Sequence, residues 1–193
     1  MIPGLYESVD RSWEATLKMM ARICSMAGSN VELCNRSTFE LSGVRFLVTT
    51  LWTHIDLDLR EECTAIIAEG SSGRQHITAD DTSSWFDSEI QWLRSQLSDK
   101  PVLPTVILTH HAPSMGCLGP DIDPTEALAQ LYCSELDELF YHPVICWAYG
   151  RTQFPMDCHA GTVRLVSNPA DYQHSNICRQ THRSYRPDLV LKI

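Results

Sequence analysis

The chain has 193 residues, of which 44% are hydrophobic and 20% charged, and its formal net charge is −9. This composition indicates one globular domain over residues 1–193, and the excess of acidic residues argues against nucleic acid or an anionic membrane as a partner. No apolar run approaches the roughly 20 residues of a membrane-spanning helix, and the start of the chain lacks signal-peptide character, so we expect a cytoplasmic protein.

The first third of the chain predicts a helix, a hairpin and a second, weaker helix. Apolar residues recur at alternating steps of four and three over residues 10–28, which predicts an amphipathic helix. The stretch "STFELSGVRFLVTTLW" predicts a β-hairpin that turns at Ser42-Gly43. A weaker helix is predicted over residues 58–68, and a loop over residues 71–78.

The middle of the chain predicts two helices separated by a buried strand. Asp81 or Thr82 caps the first helix. The stretch "PTVILTHHAPS" is typical of a buried strand followed by a polar turn, and Pro124 begins the next helix. The apolar positions are Phe86, Ile90, Leu93 and Leu97 in the first helix, and Leu128, Leu131, Leu136 and Leu139 in the second.

The last third of the chain predicts strands. "VICWAYG" is a buried strand, "FPMDCHAGTVRLVSNP" is a hairpin that turns at Ala160-Gly161, and "DLVLKI" is a final short strand. Strands that alternate with helices, together with two hairpins, indicate an α/β fold, a layered sandwich with mixed β-sheets flanked by helices.

Eight cysteines are spread along the chain without a C-x-x-C pair. Neither a zinc ribbon nor a thioredoxin-type motif is therefore indicated. We expect reduced thiols, most of them buried as small apolar residues, and we expect no cofactor.

Polar side chains follow two of the predicted buried strands directly. His110 and His111 follow "TVIL" after one threonine, and residues 150–153, "GRTQ", follow "VICWAY". In open α/β sheets, ligands bind at the carboxyl ends of the strands. Successive side chains of a strand point to opposite faces, so at least one histidine is expected to face this crevice, where it either serves metal or acid–base chemistry or only bonds a neighbouring loop.

The order of these segments resembles the calcineurin-like metallophosphoesterases. The resemblance lies in "GVRFLVTTLW", "ILTHHAPS", "WAYGRTQF" and "GTVRLVSNPADY", in that order and across nearly the whole chain. It implies a layered sandwich around two β-sheets and hydrolysis of phosphate esters by two metal ions, which activate a bridging water. It also implies that His110 is the counterpart of a metal ligand of the family.

The chain departs from the family where the family binds its metals. The family begins with Asp-x-His, Gly-Asp and Gly-Asn-His segments, whereas this chain starts at "IPGLYES", which keeps Pro3 and Gly4 without the Asn and His. We therefore expect the first two ligand-bearing segments to be absent. Near the other end, the family carries Gly-His-x-His, and this chain has Arg151 and Gln153 in place of the two histidines.

These replacements favour a metal-free site. Arginine only donates hydrogen bonds and cannot coordinate a cation, and the glutamine amide is a weak ligand. A guanidinium partly restores the lost positive charge, and its fork matches phosphate or carboxylate. In the alternative interpretation, Arg151 pairs with a nearby carboxylate such as Asp157 and only closes the old site. The predicted catalytic residues are His110, His111 and Arg151, the predicted ligand-binding residues are Gln153, His54, Asn168, Tyr172 and His174, and no metal ligand is predicted.

Three functions stay open at this level. The first is a non-catalytic relic that binds a partner or a small anionic or polar molecule. The second is a repurposed enzyme in which a neutral histidine acts as base beside the Arg151 clamp. The third is a residual metal-dependent phosphoesterase with an incomplete or dimer-completed site. Loss of the family's first strands would expose sheet edges and apolar faces, so we expect a homodimer that covers them.

Overall fold

Six strands form one mixed sheet in the computed structural model, which describes residues 1–4, 12–28, 30–70, 77–98, 103–170 and 185–193. The strand order is β1-β2-β3-β4-β6-β5. Strands β2, β3, β4 and β6 are parallel, and the hairpin strands β1 and β5 run antiparallel at the two edges. The strands are β1 Ser37–Leu41, β2 Val44–Thr49, β3 Thr105–Thr109, β4 Val144–Ala148, β5 Met156–Ala160 and β6 Val163–Ser167. The predicted α/β fold with mixed strand directions is confirmed.

Four α-helices accompany the sheet in the described ranges. They are α1 Trp13–Ala27, α2 Arg60–Gly70, α3 Ala79–Ser98 and the short α4 Ala127–Gln130, with single 3-10 turns at Met115–Cys117 and Asp137–Leu139. The backbone N–H of Ala15 donates to the Ser12 hydroxyl at 3.3 Å and so caps α1. No helix in these ranges has both the length and the apolar character that a membrane crossing requires.

Helix α3 begins at Ala79, two residues before Asp81 and three before Thr82, the two predicted caps. The N–H of Asp81 donates to Thr78 Oγ1 at 3.2 Å, and the Asp81 carboxylate accepts the N–H of Thr78 at 2.9 Å. This reciprocal pair is a capping box, in which Asp81 serves as the third helical residue rather than as the cap. The predicted apolar face of α3 is confirmed, because all four of its residues are buried.

The long helix predicted from Pro124 does not form. Only four residues of it are α-helical, because the chain then leaves the helix to pair with the loop after β3. The N–H of Ala112 donates to the carbonyl of Tyr132 at 3.1 Å, and the N–H of Ser134 donates to the carbonyl of Ala112 at 3.2 Å. An extended segment at this position is incompatible with a continuous helix.

The C-terminal elements agree with the sequence in part. Strands β5 and β6 form the predicted hairpin, but pairing of Ala160 with Val163 shifts the two-residue turn to Gly161 and Thr162. The predicted final strand is wrong, since residues 185–193 contain no strand. Leu189 and Leu191 instead pack against one face of the sheet. Residues 71–76 of the predicted loop lie outside the described residues.

Helices α1 and α3 cover the opposite face of the sheet. Leu47, Ile107, Trp147 and Leu165 pair across β2, β3, β4 and β6, and the helices pack their apolar residues onto this row. This packing fixes the positions of the strand ends. The described cysteines are free thiols and most are buried, as predicted; Cys178 lies outside the described residues.

Candidate functional site

The four parallel strands end at the same edge of the sheet, because neighbouring parallel strands place their carboxyl ends together. Thr50 follows β2, His110 follows β3, and Asn168 follows β6. Gly150 follows β4 after one tyrosine. The structure thus brings the two predicted site segments together at this edge.

Backbone hydrogen bonds extend the sheet beyond the strand ends and hold His110 in place. The carbonyl of Thr50 accepts the N–H groups of both His110 and His111 at 3.1 Å. The carbonyl of His110 in turn accepts the N–H of Gly150 at 3.1 Å. The backbone of His110 is therefore fixed from both neighbouring loops.

The two histidine rings contact each other instead of pointing to opposite faces. Their centroids lie 4.8 Å apart with an interplanar angle of 80°. The predicted alternation fails because β3 ends at Thr109, so neither histidine has the backbone geometry of the strand. His111 is 2% exposed and its ring packs against Trp52, so His111 lies in the core, and its predicted catalytic role stays a prediction. His110 is half-buried and is therefore the more exposed of the two histidines.

Gly4 lies against the His110 ring. A methyl group on Gly4 would be 2.5 Å from Nε2 and 2.6 Å from Nδ1 of His110, so only glycine fits this contact. The hydroxyl of Thr50 donates to the carbonyl of Pro3 at 2.9 Å, and the N–H of Cys34 donates to the carbonyl of Met1 at 2.8 Å. The Pro-Gly pair of "IPGLYES" is thereby fixed beside His110.

Backbone strain is concentrated in the turn that follows β4. Arg151 and Gln153 have φ values of 59° and 53°, in the left-handed region that favours glycine. The N–H of Thr152 donates to the carbonyl of Gly150 at 2.7 Å and closes a three-residue turn around Arg151. Each non-glycine residue in this region costs about 1–2 kcal/mol, and such strain occurs mainly at functional sites.

The guanidinium of Arg151 is held by the two residues that directly follow α4, Leu131 and Tyr132. Its Cζ lies 4.6 Å from the ring centroid of Tyr132, a cation–π distance, and its Nε donates to the carbonyl of Leu131 at 3.3 Å. Arg151 is half-buried. The predicted clamp residue therefore has a defined position next to the histidines.

Asp157 is not the partner of Arg151 that the alternative interpretation required. Its carboxylate accepts two hydrogen bonds from Arg164, at 2.8 and 2.9 Å, and one from Arg186 at 3.0 Å. These bonds lower the pKa of Asp157 to about 2. The alternative in which Arg151 and Asp157 close the site is therefore wrong for this carboxylate.

Burial and the neighbouring guanidinium keep both histidines neutral. Burial, followed by the positive charge of Arg151, lowers the pKa of His110 from its usual 6.5 to about 4. Burial also holds the pKa of His111 well below 6.5, and His110 and Arg151 add to this effect. At neutral pH, Arg151 is thus the positively charged member of these three residues.

Two buried imidazole nitrogens lack hydrogen-bond partners within the described ranges, namely Nε2 of His110 and Nδ1 of His111. Buried polar atoms without a partner are rare in native proteins. The one on His110 is itself buried, and the ring that carries it lies against Gly4.

The donor set does not fit the two divalent ions of the resembled family. Within the described parts of the chain, no group of three or more histidine, cysteine, aspartate or glutamate side chains is placed to hold a metal ion. Arg151 lies in the turn that follows β4, and its permanent charge repels cations. Gln153 contributes at best a weak amide oxygen.

Two other predicted ligand-binding residues that the structure describes, His54 and Asn168, have contacts of their own elsewhere. His54 is exposed and borders a separate cleft of about 580 Å³ near Phe86. The amide of Asn168 exchanges hydrogen bonds of 2.8 and 3.0 Å with the backbone of Arg186, so it holds the C-terminal segment. Tyr172 and His174 lie outside the described residues.

Glu89 is a residue of this region that the sequence analysis did not select. Its side chain is 3% exposed, and it accepts the N–H of Trp52 at 2.7 Å and the hydroxyl of Thr49 at 2.9 Å. The sequence does contain a signal for the burial of Glu89. It lies three residues after Phe86 and directly before Ile90, and hence next to the apolar face of α3.

No family model matches the chain. A curated relative, the "Uncharacterized protein L509" of Acanthamoeba polyphaga mimivirus, is 27% identical over 182 residues, which covers 88% of this chain and 63% of the relative. The crystal structure of phosphopantetheinyl hydrolase from Mycobacterium tuberculosis matches with a TM-score of 0.56 at 14% identity, over 88% of this chain and 65% of that one.

These comparisons establish the fold. The structural match shows that this chain shares an α/β fold with a hydrolase. The chain spans less than two thirds of the length of both proteins.

Proposed function

We propose that the chain is a metal-independent relative of the calcineurin-like metallophosphoesterases that binds a small anionic molecule at the edge where β3 and β4 end. Arg151 supplies the positive charge, and the neutral ring of His110 supplies a polar contact. The expected ligand carries a phosphate, sulfate or carboxylate group, because the two parallel N–H groups of a guanidinium can each donate to one oxygen of such a group.

The observation that carries this proposal is the position of Arg151 beside His110. The residue before Arg151, Gly150, donates its N–H to the carbonyl of His110 at 3.1 Å, and the charge of Arg151 lowers the pKa of His110. In the resembled family, divalent ions supply the positive charge of the site. Here a side chain of the protein supplies it.

The geometry favours binding over acid–base catalysis. A general base works best when its pKa lies near the working pH, and the pKa of His110 is about 4. A neutral ring of this kind accepts a proton poorly at neutral pH but can still accept a hydrogen bond, and its buried Nε2 has no partner within the described ranges. That nitrogen also favours the alternative, a residual metal-dependent phosphoesterase, since neutral imidazole is a common metal ligand.

Sulfate is the first probe of the proposal, and a phosphate monoester is the second, because the name of the structurally similar phosphopantetheinyl hydrolase includes a phosphate-bearing group. We expect saturable shifts of the His110 and Gly150 amides in ¹⁵N NMR spectra when sulfate is added. Arg151→Gln is expected to weaken binding by about tenfold or more, because a charge-assisted hydrogen bond is lost.

Two further variants make this experiment specific. Arg151→Lys keeps the charge but loses the fork, so its affinity is expected to fall between those of the wild type and Arg151→Gln. Arg94→Gln removes an exposed arginine that pairs with Glu138, and should bind sulfate like the wild type. Equal sulfate affinity in the wild type and Arg151→Gln would refute the proposal.

A further inference from the structure

A buried carboxyl group joins helix α3 to the end of β2. Oε2 of Glu89 accepts the N–H of Trp52 at 2.7 Å, and Oε1 lies 2.9 Å from the hydroxyl of Thr49. These two contacts lie on either side of Thr50 and Leu51. Glu89 therefore bridges the turn at residues 49–52 from behind.

This bridged turn is strained. Leu51 has a φ of 53°, which is unfavourable for a leucine. A non-glycine residue keeps such a conformation only when its surroundings enforce it. The two hydrogen bonds to Glu89 flank Leu51 and supply this restraint.

The same turn holds the candidate site. The carbonyl of Thr50 accepts the N–H groups of His110 and His111, and the hydroxyl of Thr50 holds the carbonyl of Pro3. A shift of Thr50 would therefore move the His110 ring and the Gly4 segment above it together. Trp52, whose N–H Glu89 accepts, also packs against His111 at a ring distance of 5.5 Å.

We propose that Glu89 is the positioning residue of the anion site: its carboxyl fixes the turn at residues 49–52, and this turn fixes His110. The inference rests on the proposed function for what the site binds, but the positioning itself concerns the backbone. It therefore has a readout of its own, the protection of the His110 and His111 amide protons from exchange with solvent.

The protonation of Glu89 is linked to the hydrogen bonds of the turn. Burial raises the pKa of Glu89 to about 7, although hydrogen bonds from Trp52 and Thr49 and the charge of Arg36 lower it. A protonated Glu89 donates to Thr49, and the Thr49 hydroxyl then donates to Asn35 Oδ1, 3.2 Å away. An ionised Glu89 accepts the Thr49 hydroxyl instead, and Asn35 loses that donor.

Ionisation of Glu89 should therefore loosen the turn. Burial of the charged carboxylate is unfavourable, and the bond from Thr49 to Asn35 is broken at the same time. The other titratable groups packed near the turn are His111 and His110, which are already neutral above about pH 6. Arg36 stays charged throughout. Burial and the bond from Thr49 to Asn35 thus favour the neutral form of Glu89, although the bonds from Trp52 and Thr49 to its carboxyl favour the ionised form.

The test compares two variants of Glu89. In Glu89→Gln, the amide can donate to Thr49 and its carbonyl can accept from Trp52, so this variant imitates the protonated carboxyl at every pH. In Glu89→Leu, both contacts are lost. Asp87→Asn and Asp87→Leu are the matched controls, because Asp87 is exposed on the same helix.

Hydrogen exchange of the His110 and His111 amides is measured from about pH 5.5 to about pH 8.5 and corrected for the intrinsic rate. In the wild type, protection should fall several-fold as the pH rises through the pKa of Glu89, about 7. Protection in Glu89→Gln should stay constant over this range. In Glu89→Leu, the protection of the His110 and His111 amides should be about tenfold lower at every pH, while the amide of Trp147 in β4 keeps its protection.

Two results would overturn the positioning role. One is a pH-independent wild type together with normal protection in Glu89→Leu. The other is an equal loss of amide protection at Trp147 in Glu89→Leu, which would show a global rather than a local effect. If Glu89→Leu does not fold, Thr49→Val removes one contact at nearly constant volume and is expected to show the same local loss.

Sulfate titration of the same proteins separates the two proposals. Loss of both protection and sulfate affinity in Glu89→Leu supports both. Loss of protection in a chain whose wild type binds no sulfate refutes the proposed function and leaves the positioning role supported. Normal protection and normal sulfate affinity in Glu89→Leu refute the positioning role alone.

Discussion

Arg151 differs from a metal ion in a way that decides what the site can do. A guanidinium keeps its charge at any physiological pH and directs it through hydrogen bonds of fixed geometry. A divalent ion also polarises bound water and lowers its pKa, which a guanidinium does not. A site charged by Arg151 therefore attracts an anion, as a metal site does, but has no ion to activate a water nucleophile.

The link between Arg151 and His110 is testable by substitution. Burial is the main cause of the low pKa of His110 and the charge of Arg151 is the second. Arg151→Gln should therefore raise this pKa, and burial should still hold it below the usual 6.5. A titration of the histidine ring signals by NMR measures the change, with Arg94→Gln as control. An unchanged pKa would show that the two side chains are not coupled.

Sequence reasoning found the residues whose placement depends on local structure. His110 and Arg151 follow buried strands, so the carboxyl ends of the strands bring them to one edge. Glu89 was not found, because its burial depends on how α3 packs against the end of β2, between residues 37 positions apart. His111 was misplaced because the strand ends one residue before the histidine pair.

Among the elements, the first four residues make the closest contact with the site. Gly4→Ala would push a methyl group into the His110 ring, so the segment or the ring must move. We expect a loss of about 1–3 kcal/mol in the free energy of unfolding, measured by urea denaturation, and weaker sulfate binding. Gly116→Ala is the matched control, since its nearest neighbour would lie at 3.4 Å. Equal stability of Gly4→Ala and the wild type would contradict the observed contact.

The elements that the sequence did not predict are those whose backbone pairs with residues far away along the chain. The helix predicted from Pro124 has a helical apolar pattern, and Leu131, Leu136 and Leu139 are buried as expected. Its backbone nevertheless pairs with Ala112, more than 20 residues earlier. Such pairing is not visible in a local pattern, whereas α3 and the two hairpins depend on local signals and were predicted.

At the scale of the whole molecule, the homodimer stays a prediction. The edge strand β1 exposes Phe39 by 42% and Leu41 by 63%, and unpaired edges with apolar side chains favour association. We expect size-exclusion chromatography with light scattering to give the mass of a dimer. Leu41→Lys should shift this mass toward the monomer if β1 lies in the interface, whereas a wild-type monomer would contradict the prediction.

The central claim is that a side chain of the protein, not metal ions, supplies the positive charge at the end of β4. Its most direct test is elemental analysis of the purified chain after incubation with Mn²⁺ or Zn²⁺ and removal of unbound ions. We predict far less than one ion per chain, and a clear rise in the double variant Arg151→His, Gln153→His, which restores the family's two histidines. Two tightly bound ions per wild-type chain, with turnover of a phosphate ester, would contradict the account.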